Sequence, residues 1–286
     1  MLRFAQSGEA LVLVVMEIFD LNEPMKRFFK NDFDEVMAVD GKEYRAKEGR
    51  RTVSFFCEGE EYFAKVHRGI GWGEIWKNLS QLKKPVVDAS NEWLAADLLH
   101  EIGVDTITVV GRGLRDGNPA TRDSFVLMEA LAERGTVEEL LKKERDVRLR
   151  RMVTRKVATS AGRMHRVGMN HRDFYLCHFH APDRDWSQWG GEDDFVLPVM
   201  DLHRAQLRKR VPRRWLVKDL GALFYSALDC GISRGEVFLF LKTYLGENWK
   251  EEFRADRKFW DAVIVRGRKF YRKHCGSDPV LPWRVS

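Results

Sequence analysis

The chain has 286 residues, of which 44% are apolar and 32% are charged, and its formal net charge is +6. Such a chain is long enough for one large domain, or for two lobes that share a cleft, with an ordinary core. The four cysteines show no Cys-x-x-Cys pairing, which argues against a zinc site or a disulfide framework and suits a reducing cytoplasm. The positive charge favours an anionic partner such as a nucleotide, nucleic acid, anionic lipid or acidic protein, although a merely basic soluble protein explains it equally well.

The N-terminal region gives no signal for export. Its one apolar run, residues 10–16, is followed by Glu17 and is too short to span a bilayer. No small-residue cleavage site follows, so we expect neither secretion nor a membrane span. Residues 1–40 as a whole predict an extension that packs on the first lobe of the fold.

Three short strands are predicted next, because turn residues separate them and their side chains alternate. They cover residues 44–47, 52–56 and 61–67. The first turn lies where a protein kinase carries its glycine-rich phosphate loop, but only Gly49 is present. Backbone amides with Arg50 or Arg51 could still hold a phosphate there. A charged hairpin turn is an equally good interpretation.

The third strand contains a lysine in an otherwise apolar and aromatic run. Lys65 shares one face of this strand with Phe63 and His67. The other face consists of Tyr62, Ala64 and Val66. Because a lysine amino group is costly to bury without a partner, the pattern predicts that an acidic group lies opposite Lys65.

A helix over residues 90–103 can supply that acidic group. We expect Ser90 to be its N-cap and Gly103 to end it. Glu92 lies in the first turn, where a carboxylate also complements the helix dipole. The need of Lys65 for a partner favours an ion pair between Lys65 and Glu92, as in kinases.

Residues 67–74 connect the third strand to this helix and contain three glycines around Ile70 and Trp72. This composition predicts a mobile loop close to the phosphate site. It is either a lid over the substrate or simply a loop.

Two further strands complete the first half of the chain. They cover residues 106–111 and 124–128. Glu129 and the residues after it resemble a kinase hinge, where the backbone of Glu129 and Leu131 would meet the adenine. Five strands and one main helix thus precede the hinge, and mostly helices follow it. The sequence therefore predicts an α+β, bilobal protein-kinase-like fold, with an N-lobe over residues 1–130 and a C-lobe over residues 131–286.

The catalytic chemistry is predicted from the string His-Arg-Asp at 171–173, which follows a helix predicted over 146–167. In protein-kinase-like phosphotransferases the Asp of this string orients or deprotonates the accepting hydroxyl, and a metal ligand, usually Asn, lies five residues later. That fifth position is His178 here. Asp201 follows a strand predicted over 195–200, at the position of the kinase Asp that binds magnesium.

A lone His-Arg-Asp recurs by chance in many chains, so the prediction depends on the other residues of the kinase pattern being present in the right order. Five residues stand in kinase order, each on the expected type of element: Lys65, Glu92, Asp173, His178 and Asp201.

Residues 202–218 contain seven basic residues and no acidic one. These are Arg204, Arg208, Lys209, Arg210, Arg213, Arg214 and Lys218. A charge run is usually a solvated face, but beside a phosphotransfer cleft it could bind an acceptor that carries phosphates or carboxylates. Asp219 follows the run and is expected to brace the catalytic loop. Residues 234–273 predict helices with aromatic and basic side chains.

Four stretches of the chain resemble the lipopolysaccharide core heptose kinases, Gram-negative enzymes that phosphorylate the first core heptose. They are Tyr-Phe-Ala-Lys-Val-His-Arg-Gly-Ile-Gly-Trp-Gly-Glu-Ile (62–75), Glu-Trp (92–93), Asn-His-Arg-Asp-Phe-Tyr-Leu-Cys-His-Phe (170–179) and Asp-Leu-His-Arg-Ala-Gln (201–206). The resemblance covers roughly residues 40–250. The family typically has Cys-Tyr-Ile-Cys-His after the catalytic Asp, and here Phe174 and Leu176 replace its first Cys and its Ile.

This resemblance implies an ATP-dependent kinase that phosphorylates a heptose of the lipopolysaccharide inner core with magnesium. The implied catalytic residues are Asp173, Lys65 and Arg172; the nucleotide contacts are Lys65, Glu92, Arg51, Glu129 and Leu131; the metal ligands are Asp201 and His178; and the acceptor contacts are Arg204, Arg208, Arg214 and Trp72. In an alternative interpretation His178 contacts a phosphate instead of the metal ion.

The resemblance also implies a lipid A–core acceptor and a cytoplasmic protein that contacts the inner membrane peripherally, without nucleic acid. The charge could recruit an acidic helper such as acyl carrier protein. Two alternatives to the function are a kinase of another core sugar, a small molecule or a protein, and a kinase-like binding module without turnover. The presence of Lys65, Asp173 and Asp201 argues against the second.

Overall fold

A computed structural model describes residues 17–47, 49–80, 86–115, 118–131, 135–181 and 195–283 of the protein. An antiparallel sheet of six strands organises its first half. The strands are β1 (Ile18–Leu21), β2 (Lys42–Lys47), β3 (Arg50–Cys57), β4 (Glu60–His67), β5 (Val109–Arg115) and β6 (Asp123–Glu129), in the spatial order β1-β5-β6-β4-β3-β2. The sheet has one strand more than the five predicted, because β1 from the N-terminal extension pairs with β5 at the edge.

Two short helices of the extension cover one face of this sheet. They are α1 (Glu23–Phe28) and α2 (Phe33–Met37), and the side chains of Asn22 and Asp32 cap their N-termini. Met25 and Val36 are fully buried and pack in one apolar cluster with Phe125 of the sheet. The expectation that the extension packs on the first lobe is therefore confirmed for the residues described.

The strand predicted over 106–111 begins later than expected. Thr106 is drawn away from the sheet, because its side-chain hydroxyl donates a 2.7 Å hydrogen bond to the carbonyl oxygen of Val199. Pairing with β6 starts only at Val109 and continues to Arg115. The first residues of the predicted strand thus tie the sheet to the C-lobe instead.

The mobile loop predicted over residues 67–74 is wrong for its second half. Residues Gly71–Ser80 form helix α3. Its apolar residues recur at helical spacing (Trp72, Ile75, Trp76 and Leu79), and only Ile75 among them is buried, at 5% exposure. This periodicity predicts a helix, but it continues past the three glycines and is visible only when the residues after 74 are included.

Helix α4 (Ser90–Glu101) carries Glu92 as predicted, but its N-cap differs from the prediction. Ser90 is the first helical residue, and its backbone N–H donates a 2.9 Å hydrogen bond to the Asp88 carboxylate. Asp88 therefore satisfies the helix start in place of Ser90. The helix ends as predicted at Gly103, whose φ of +66° suits a residue without a side chain.

The C-lobe is mostly helical. Its helices are α5 (Val137–Lys143), α6 (Val147–Arg166), α7 (Arg213–Asp229), α8 (Arg234–Leu245), α9 (Trp249–Ala255) and α10 (Arg257–Cys275), and a two-stranded ribbon joins β7 (Met169–Asn170) to β8 (Gln206–Leu207). Helix α6 agrees with the helix predicted over 146–167, and Asp146 caps it. Among the described residues, no helix combines the length and apolar character that a membrane span requires.

The strand predicted over 195–200 is wrong. Its residues pair with other segments only through isolated bridges at Val199. One reason is Pro198, which has no backbone N–H to give to a ladder, although its carbonyl oxygen accepts a hydrogen bond from His180. The segment is nevertheless anchored, since Phe195 and Leu197 are almost completely buried in the main core.

The main core joins both halves of the molecule behind the catalytic loop. Trp93 and Leu99 of α4 belong to the same buried cluster as Met164 of α6 and Phe174 of the loop. Since such close-packed interiors resist displacement, this cluster holds the loop in one place relative to the sheet.

Candidate active site

The predicted pair of Lys65 and Glu92 is present. The Lys65 amino group donates a hydrogen bond to Oε1 of Glu92, which is 1% exposed, while the Lys65 side chain is 22% exposed. In the sheet Lys65 lies opposite Thr52 on β3 and Val126 on β6. The buried carboxylate requires this cation, and the partly exposed amino group retains donors for a second anion.

A polar cavity of about 200 Å³ opens beside Lys65. Its walls are formed by Arg45, Arg50, Arg51, Thr52, Lys65, His67, Asp201 and His203. Four of these eight side chains are arginine or lysine and only one is acidic, so the cavity suits a polyanion such as a chain of phosphates. A separate cavity of about 270 Å³ in the C-lobe is lined mainly by aliphatic and aromatic side chains and includes none of the predicted site residues.

The turn that replaces a glycine-rich loop is a tight hairpin between β2 and β3. Gly49 has a φ of +73°, and a Cβ atom at this position would lie 2.8 Å from the Arg68 carbonyl oxygen. Its own carbonyl oxygen accepts a 2.7 Å hydrogen bond from the Arg68 N–H. Arg51 lies on the cavity as predicted, but its guanidinium also donates to the Val39 carbonyl oxygen. The hairpin is thus fastened to its neighbours on both sides.

His67 is the neutral member of this cavity wall. Its side chain is buried, with 4% exposure. Burial and the positive charge of Arg50 lower the pKa of His67 to about 3. At neutral pH it therefore adds no charge to the cavity.

The catalytic loop is held by the buried carboxylate of Asp219. Its oxygens accept hydrogen bonds from the backbone N–H of His171 at 2.7 Å and of Arg172 at 2.9 Å. Arg172 has a φ of +78°, an unusual conformation for a residue with a side chain, which these two bonds stabilise. The His171 ring donates a 2.8 Å hydrogen bond to the Met200 carbonyl oxygen, directly before Asp201. The predicted bracing role of Asp219 is confirmed.

Asp173 projects from this loop and meets Arg204. One guanidinium nitrogen of Arg204 lies 2.9 and 2.8 Å from the two carboxylate oxygens of Asp173. Arg204, which the sequence predicts as an acceptor contact, thus contacts the carboxylate that the sequence predicts to be catalytic. The Asp173 side chain remains 21% exposed, so a hydroxyl group can still approach it.

Asp201 lies between two histidines. Its Oδ1 accepts a hydrogen bond from Nδ1 of His203, and its Oδ2 lies 3.6 Å from Nε2 of His178. Its φ of +61° is left-handed, so the backbone is held in a rare conformation at this position. Burial alone would raise the pKa of Asp201, but His203, Lys65 and His178 hold it well below its usual range, and the carboxylate is ionised.

His178 connects this carboxylate to the catalytic loop. Its Nδ1 donates a 2.6 Å hydrogen bond to the Asp173 carbonyl oxygen, which leaves Nε2 facing Asp201. Burial lowers the pKa of His178, but its bonds with Cys177 and the Asp173 carbonyl and the charge of Asp201 raise it to about 9. A protonated imidazole cannot bind a metal ion, so metal binding by His178 would require loss of this proton.

The donor set at this point fits a magnesium ion only in part. Mg²⁺ prefers oxygen ligands and is usually bound by one or two carboxylates together with phosphates and water. Asp201 supplies such a carboxylate, whereas His178 offers nitrogen. Within the described ranges, no group of three or more His, Cys, Asp and Glu side chains is arranged to hold a metal ion. The remaining ligands would therefore be phosphate oxygens and water.

The predicted hinge is anchored on both sides. The backbone N–H of Glu129 donates to the Thr108 carbonyl oxygen at 3.0 Å, and the N–H of Ala130 donates to the Glu61 carbonyl oxygen at 3.0 Å. Leu131 follows at the end of this described stretch, partly buried.

The three predicted acceptor contacts other than Arg204 lie in two different places. Trp72 is 53% exposed on α3, near Trp76, which is 66% exposed. Arg208 and Arg214 lie close to the ring of Trp215, at the start of α7. Arg172 and Lys218 flank the same ring.

Several site residues were not predicted individually. His203, Arg45 and Thr52 belong to this group, and so does Trp215. The pairing of β3 with β4 could have revealed Thr52, because it lies directly opposite Lys65 and shares its face of the sheet. The spacing of Trp215 and Lys218, three residues apart on one helix, is a second such signal.

Comparison with known proteins finds a matching family and similar relatives. Residues 34–244 match the model of a family described as "Lipopolysaccharide kinase (Kdo/WaaP) family". Two curated relatives carry the name "Lipopolysaccharide core heptose(I) kinase WaaP". The one from Pseudomonas aeruginosa (strain PAO1) is 44% identical over 261 residues, which is 88% of this chain and 96% of the relative. The one from Escherichia coli (strain K12) is 40% identical over 258 residues, with 87% and 96% covered.

A solved structure is also similar. It is described as "WaaP in complex with acyl carrier protein" and superposes with a TM-score of 0.74 at 38% sequence identity. The match covers 89% of this chain and 99% of that one.

Proposed function

The chain belongs to the lipopolysaccharide kinase (Kdo/WaaP) family, and from this premise we propose how its site residues transfer a phosphoryl group. Its function is that of an ATP-dependent kinase of a lipopolysaccharide core heptose, like that of its relatives. The observation that carries the residue assignments is one arrangement. Lys65 and Asp201 line a single cationic cavity, and His178 connects Asp201 to the loop that bears Asp173.

On the nucleotide side, the Lys65 amino group contacts the phosphates of ATP and Glu92 keeps it in position. Arg51 adds a donor from the hairpin, within the same cavity. The backbone of Glu129 and Leu131 meets the adenine. Support for these roles comes from the buried Lys65–Glu92 pair, since a fixed cation lowers the cost of ordering a polyphosphate.

Asp201 is the carboxylate ligand that we assign to Mg²⁺, with His178 beside it. A magnesium ion bound there would neutralise charge that develops on the phosphate oxygens. His178 is a metal ligand only when its Nε2 is deprotonated. As an imidazolium it would instead donate a hydrogen bond to a phosphate oxygen.

Asp173 accepts the hydrogen bond of the sugar hydroxyl. The hydroxyl oxygen attacks the γ-phosphorus in line, the bond from that phosphorus to the β–γ bridging oxygen breaks, and ADP leaves. The hydroxyl proton passes to Asp173, and Arg204 shares the carboxylate with it. Because Arg204 reaches both oxygens through one nitrogen, it can retain one oxygen while the hydroxyl takes the other.

The direct test is transfer from γ-labelled ATP with magnesium to purified core lipopolysaccharide that lacks heptose phosphate, followed by mass spectrometry of the sugars. We expect one phosphate on the first core heptose, and strongly reduced transfer with Asp173→Asn. Phosphate on another core sugar would correct the position of transfer. Absence of any transfer by a protein that still binds ATP would overturn the kinase assignment.

We also propose that the protein binds an acidic partner of the acyl carrier protein class. The similar structure described above contains such a complex, and this chain has a formal net charge of +6. Acidic carriers would be attracted by that charge. Co-purification with acyl carrier protein at low salt would support this partner. The complex should dissociate in about 0.5 M salt, because charges are strongly screened at that ionic strength. Absence of a complex at low salt would exclude the partner.

The acceptor is a lipid, and we propose that helix α3 brings the protein to the cytoplasmic face of the inner membrane. Trp72, Trp76 and Leu79 are all exposed and lie on one face of this helix. Tryptophan favours the membrane–water interface. Sedimentation with anionic vesicles should weaken in Trp72→Ala/Trp76→Ala, and unchanged binding would remove α3 from the contact.

A further inference from the structure

Four cations converge on one tryptophan beside the catalytic loop. The charged groups of Arg172, Arg208, Arg214 and Lys218 lie 5.0, 5.9, 5.6 and 4.1 Å from the ring centroid of Trp215. We name these five residues the Trp215 cluster. Each cation gains from the face of the indole ring, but four like charges around one ring also repel one another.

The cluster has no acid of its own. In the parts of the chain that the structure describes, no carboxylate lies within ion-pair distance of its four cations. Arg208 donates to two neutral amide oxygens, those of Asn170 and Gln206. The nearby acids are already engaged, because Asp173 accepts from Arg204 and Asp219 accepts from the backbone of the catalytic loop.

Two buried donors of the cluster are also unfilled. Nε of Arg172 and Nε1 of Trp215 are inaccessible to solvent and have no hydrogen-bond partner among the residues described. Buried N–H groups are nearly always bonded, so an orphan pair of this kind needs an explanation. Because both atoms are covered in the free protein, an anion would reach them only after the surrounding side chains move. Without that movement, a bound anion compensates the four positive charges alone.

The electrostatics point in the same direction. Burial lowers the pKa of Lys218, and the positive charges of Arg266, Arg172, Arg204 and Arg214 lower it further. Burial and the charge of Arg214 likewise lower the pKa of Arg208. The surroundings of Lys218 and Arg208 therefore disfavour their positive charge, and a bound anion would stabilise it.

The rest of the basic run behaves differently. Lys209 and Arg210 are exposed to solvent. Arg213, adjacent to Arg214, is bound through its guanidinium to Asp256, with one contact at 2.6 Å. Within the run, Lys209 and Arg210 thus face solvent away from Trp215 and Arg213 is paired with an acid. Arg208, the exposed Arg214 and Lys218 instead surround Trp215 without a carboxylate partner among the described residues.

We propose that the Trp215 cluster binds an oxyanion of the acceptor, a phosphate or a carboxylate that is separate from the hydroxyl that reacts. This inference rests on the proposed function and adds to it a second point of attachment for the acceptor. Arg172 directly precedes Asp173 in the catalytic loop, so an anion held by the cluster lies close to the reacting hydroxyl. Guanidinium groups suit this role, since they bind planar or tetrahedral oxyanions with two parallel hydrogen bonds.

Two single variants test the cluster, Arg214→Gln and Lys218→Gln. Each should raise the KM for the acceptor about tenfold, as loss of a charge-assisted hydrogen bond implies, with kcat and the KM for ATP within about twofold of the wild type. Arg213→Gln is the matched control, because it removes the same charge one residue away, outside the cluster, and it should leave all three constants unchanged. Lys218→Arg should restore the KM for the acceptor.

Treatment of the acceptor distinguishes the two sources of the oxyanion. One sample is treated with phosphatase and another has its carboxylates converted to methyl esters. One of the two treatments should raise the wild-type KM about as much as Lys218→Gln does, and it should have little further effect on that variant. If neither treatment changes the wild-type KM, the acceptor carries no anion that this cluster uses and the proposal is overturned.

The proposal and the kinase function fail in different ways. If the wild type phosphorylates the acceptor but Arg214→Gln and Lys218→Gln match Arg213→Gln in KM, only the cluster assignment is wrong. If the wild type transfers no phosphate, titration calorimetry of acceptor binding to the wild type and to Lys218→Gln replaces the kinetics. Equal affinities in that titration would overturn the cluster assignment. Arg214 is exposed, so its variant carries the test if Lys218→Gln does not fold.

Discussion

The two basic surfaces on either side of Asp173 differ in how their charges are compensated. In the nucleotide cavity Lys65 is bonded to the buried Glu92, and the Asp201 carboxylate lies in the same wall. In the Trp215 cluster the four cations have no carboxylate partner within the described residues. The sequence alone shows the two surfaces as similar, since both contain several arginines and a lysine.

This difference in charge compensation indicates how each surface binds its ligand. A buried ion pair contributes little net stability, but it fixes the direction of the lysine amino group before a ligand arrives. Uncompensated cations repel one another and lower the stability of the free protein. Binding of an anion removes this repulsion and therefore contributes to the free energy of binding. The nucleotide cavity is thus preorganised, whereas the Trp215 cluster is completed by its ligand.

The largest effect is expected at the residue that lies between the two surfaces. Asp173→Asn removes the carboxylate that accepts the hydroxyl proton, so kcat should fall by about 10²- to 10⁴-fold, the usual contribution of a general base. The melting temperature should stay close to that of the wild type, because Asp173 is partly exposed and outside the core. Asp261→Asn, an exposed carboxylate on α10, is the control. Turnover retained by Asp173→Asn would refute its assignment.

The next effect tests whether the nucleotide side is truly preorganised by its ion pair. Lys65→Met leaves the Glu92 carboxylate buried without a cation, which should lower the free energy of unfolding by about 3 kcal/mol, as measured by urea denaturation. Lys65→Met/Glu92→Leu should recover most of that loss, because two apolar side chains replace the pair. Neither variant should transfer phosphate. If Lys65→Met unfolds at the same urea concentration as the wild type, the pair is not a structural unit.

A smaller effect is expected in the support of the catalytic loop. In Asp219→Asn the remaining carbonyl oxygen can accept from one of the two backbone N–H groups, while the new NH₂ group faces the other N–H. The free energy of unfolding should therefore fall by about 1 to 3 kcal/mol. The value of kcat should fall as well, since the left-handed Arg172 loses a restraint next to Asp173. Urea unfolding and steady-state kinetics of the one variant measure both. A normal kcat in a destabilised Asp219→Asn would show that the loop keeps its geometry without this carboxylate.

Much of the fold and the centre of the site could be predicted from the sequence. Lys65 required a partner because it lay within an apolar strand, and Glu92 was the acidic group at the right distance along the chain. The helix over 146–167 had clear apolar spacing and an Asp at its start. These features depend on local patterns of residues that follow one another.

The remaining features depend on contacts between distant residues. The bond between Arg204 and Asp173 depends on how the turn after Asp201 folds against the catalytic loop. The strand expected over 195–200 is absent because, among the described residues, this segment pairs with others only through isolated bridges at Val199. The helix at Gly71–Ser80 was missed because three glycines outweighed an apolar period that continues beyond them. The division of the basic run into paired and unpaired cations likewise needs Asp256, which lies 43 residues from Arg213.

The last effect, similar in size to that of Asp219→Asn but seen only at acidic pH, concerns a histidine whose charge would disturb the nucleotide cavity. The pKa of His67 is lowered from 6.5 to about 3 in the folded protein, because burial and Arg50 disfavour its charge. Between these two pH values the unfolded chain therefore binds a proton that the folded protein does not, and stability falls as the pH falls below about 6.5. At pH 5 the loss from this group alone is about 2 kcal/mol relative to pH 7.5, at 1.36 kcal/mol for each pH unit.

His67→Gln removes that titration. Other groups, including the buried His171, contribute equally to both proteins and cancel in the difference between them. Urea unfolding at pH 7.5, 6 and 5 should therefore show a steeper loss of stability for the wild type than for His67→Gln. Parallel losses would mean that the cavity accepts a protonated His67. Acidic groups would then neutralise the cations of the nucleotide cavity more completely than the contacts of Lys65 and Asp201 indicate. The difference in charge compensation between this cavity and the Trp215 cluster would be larger still.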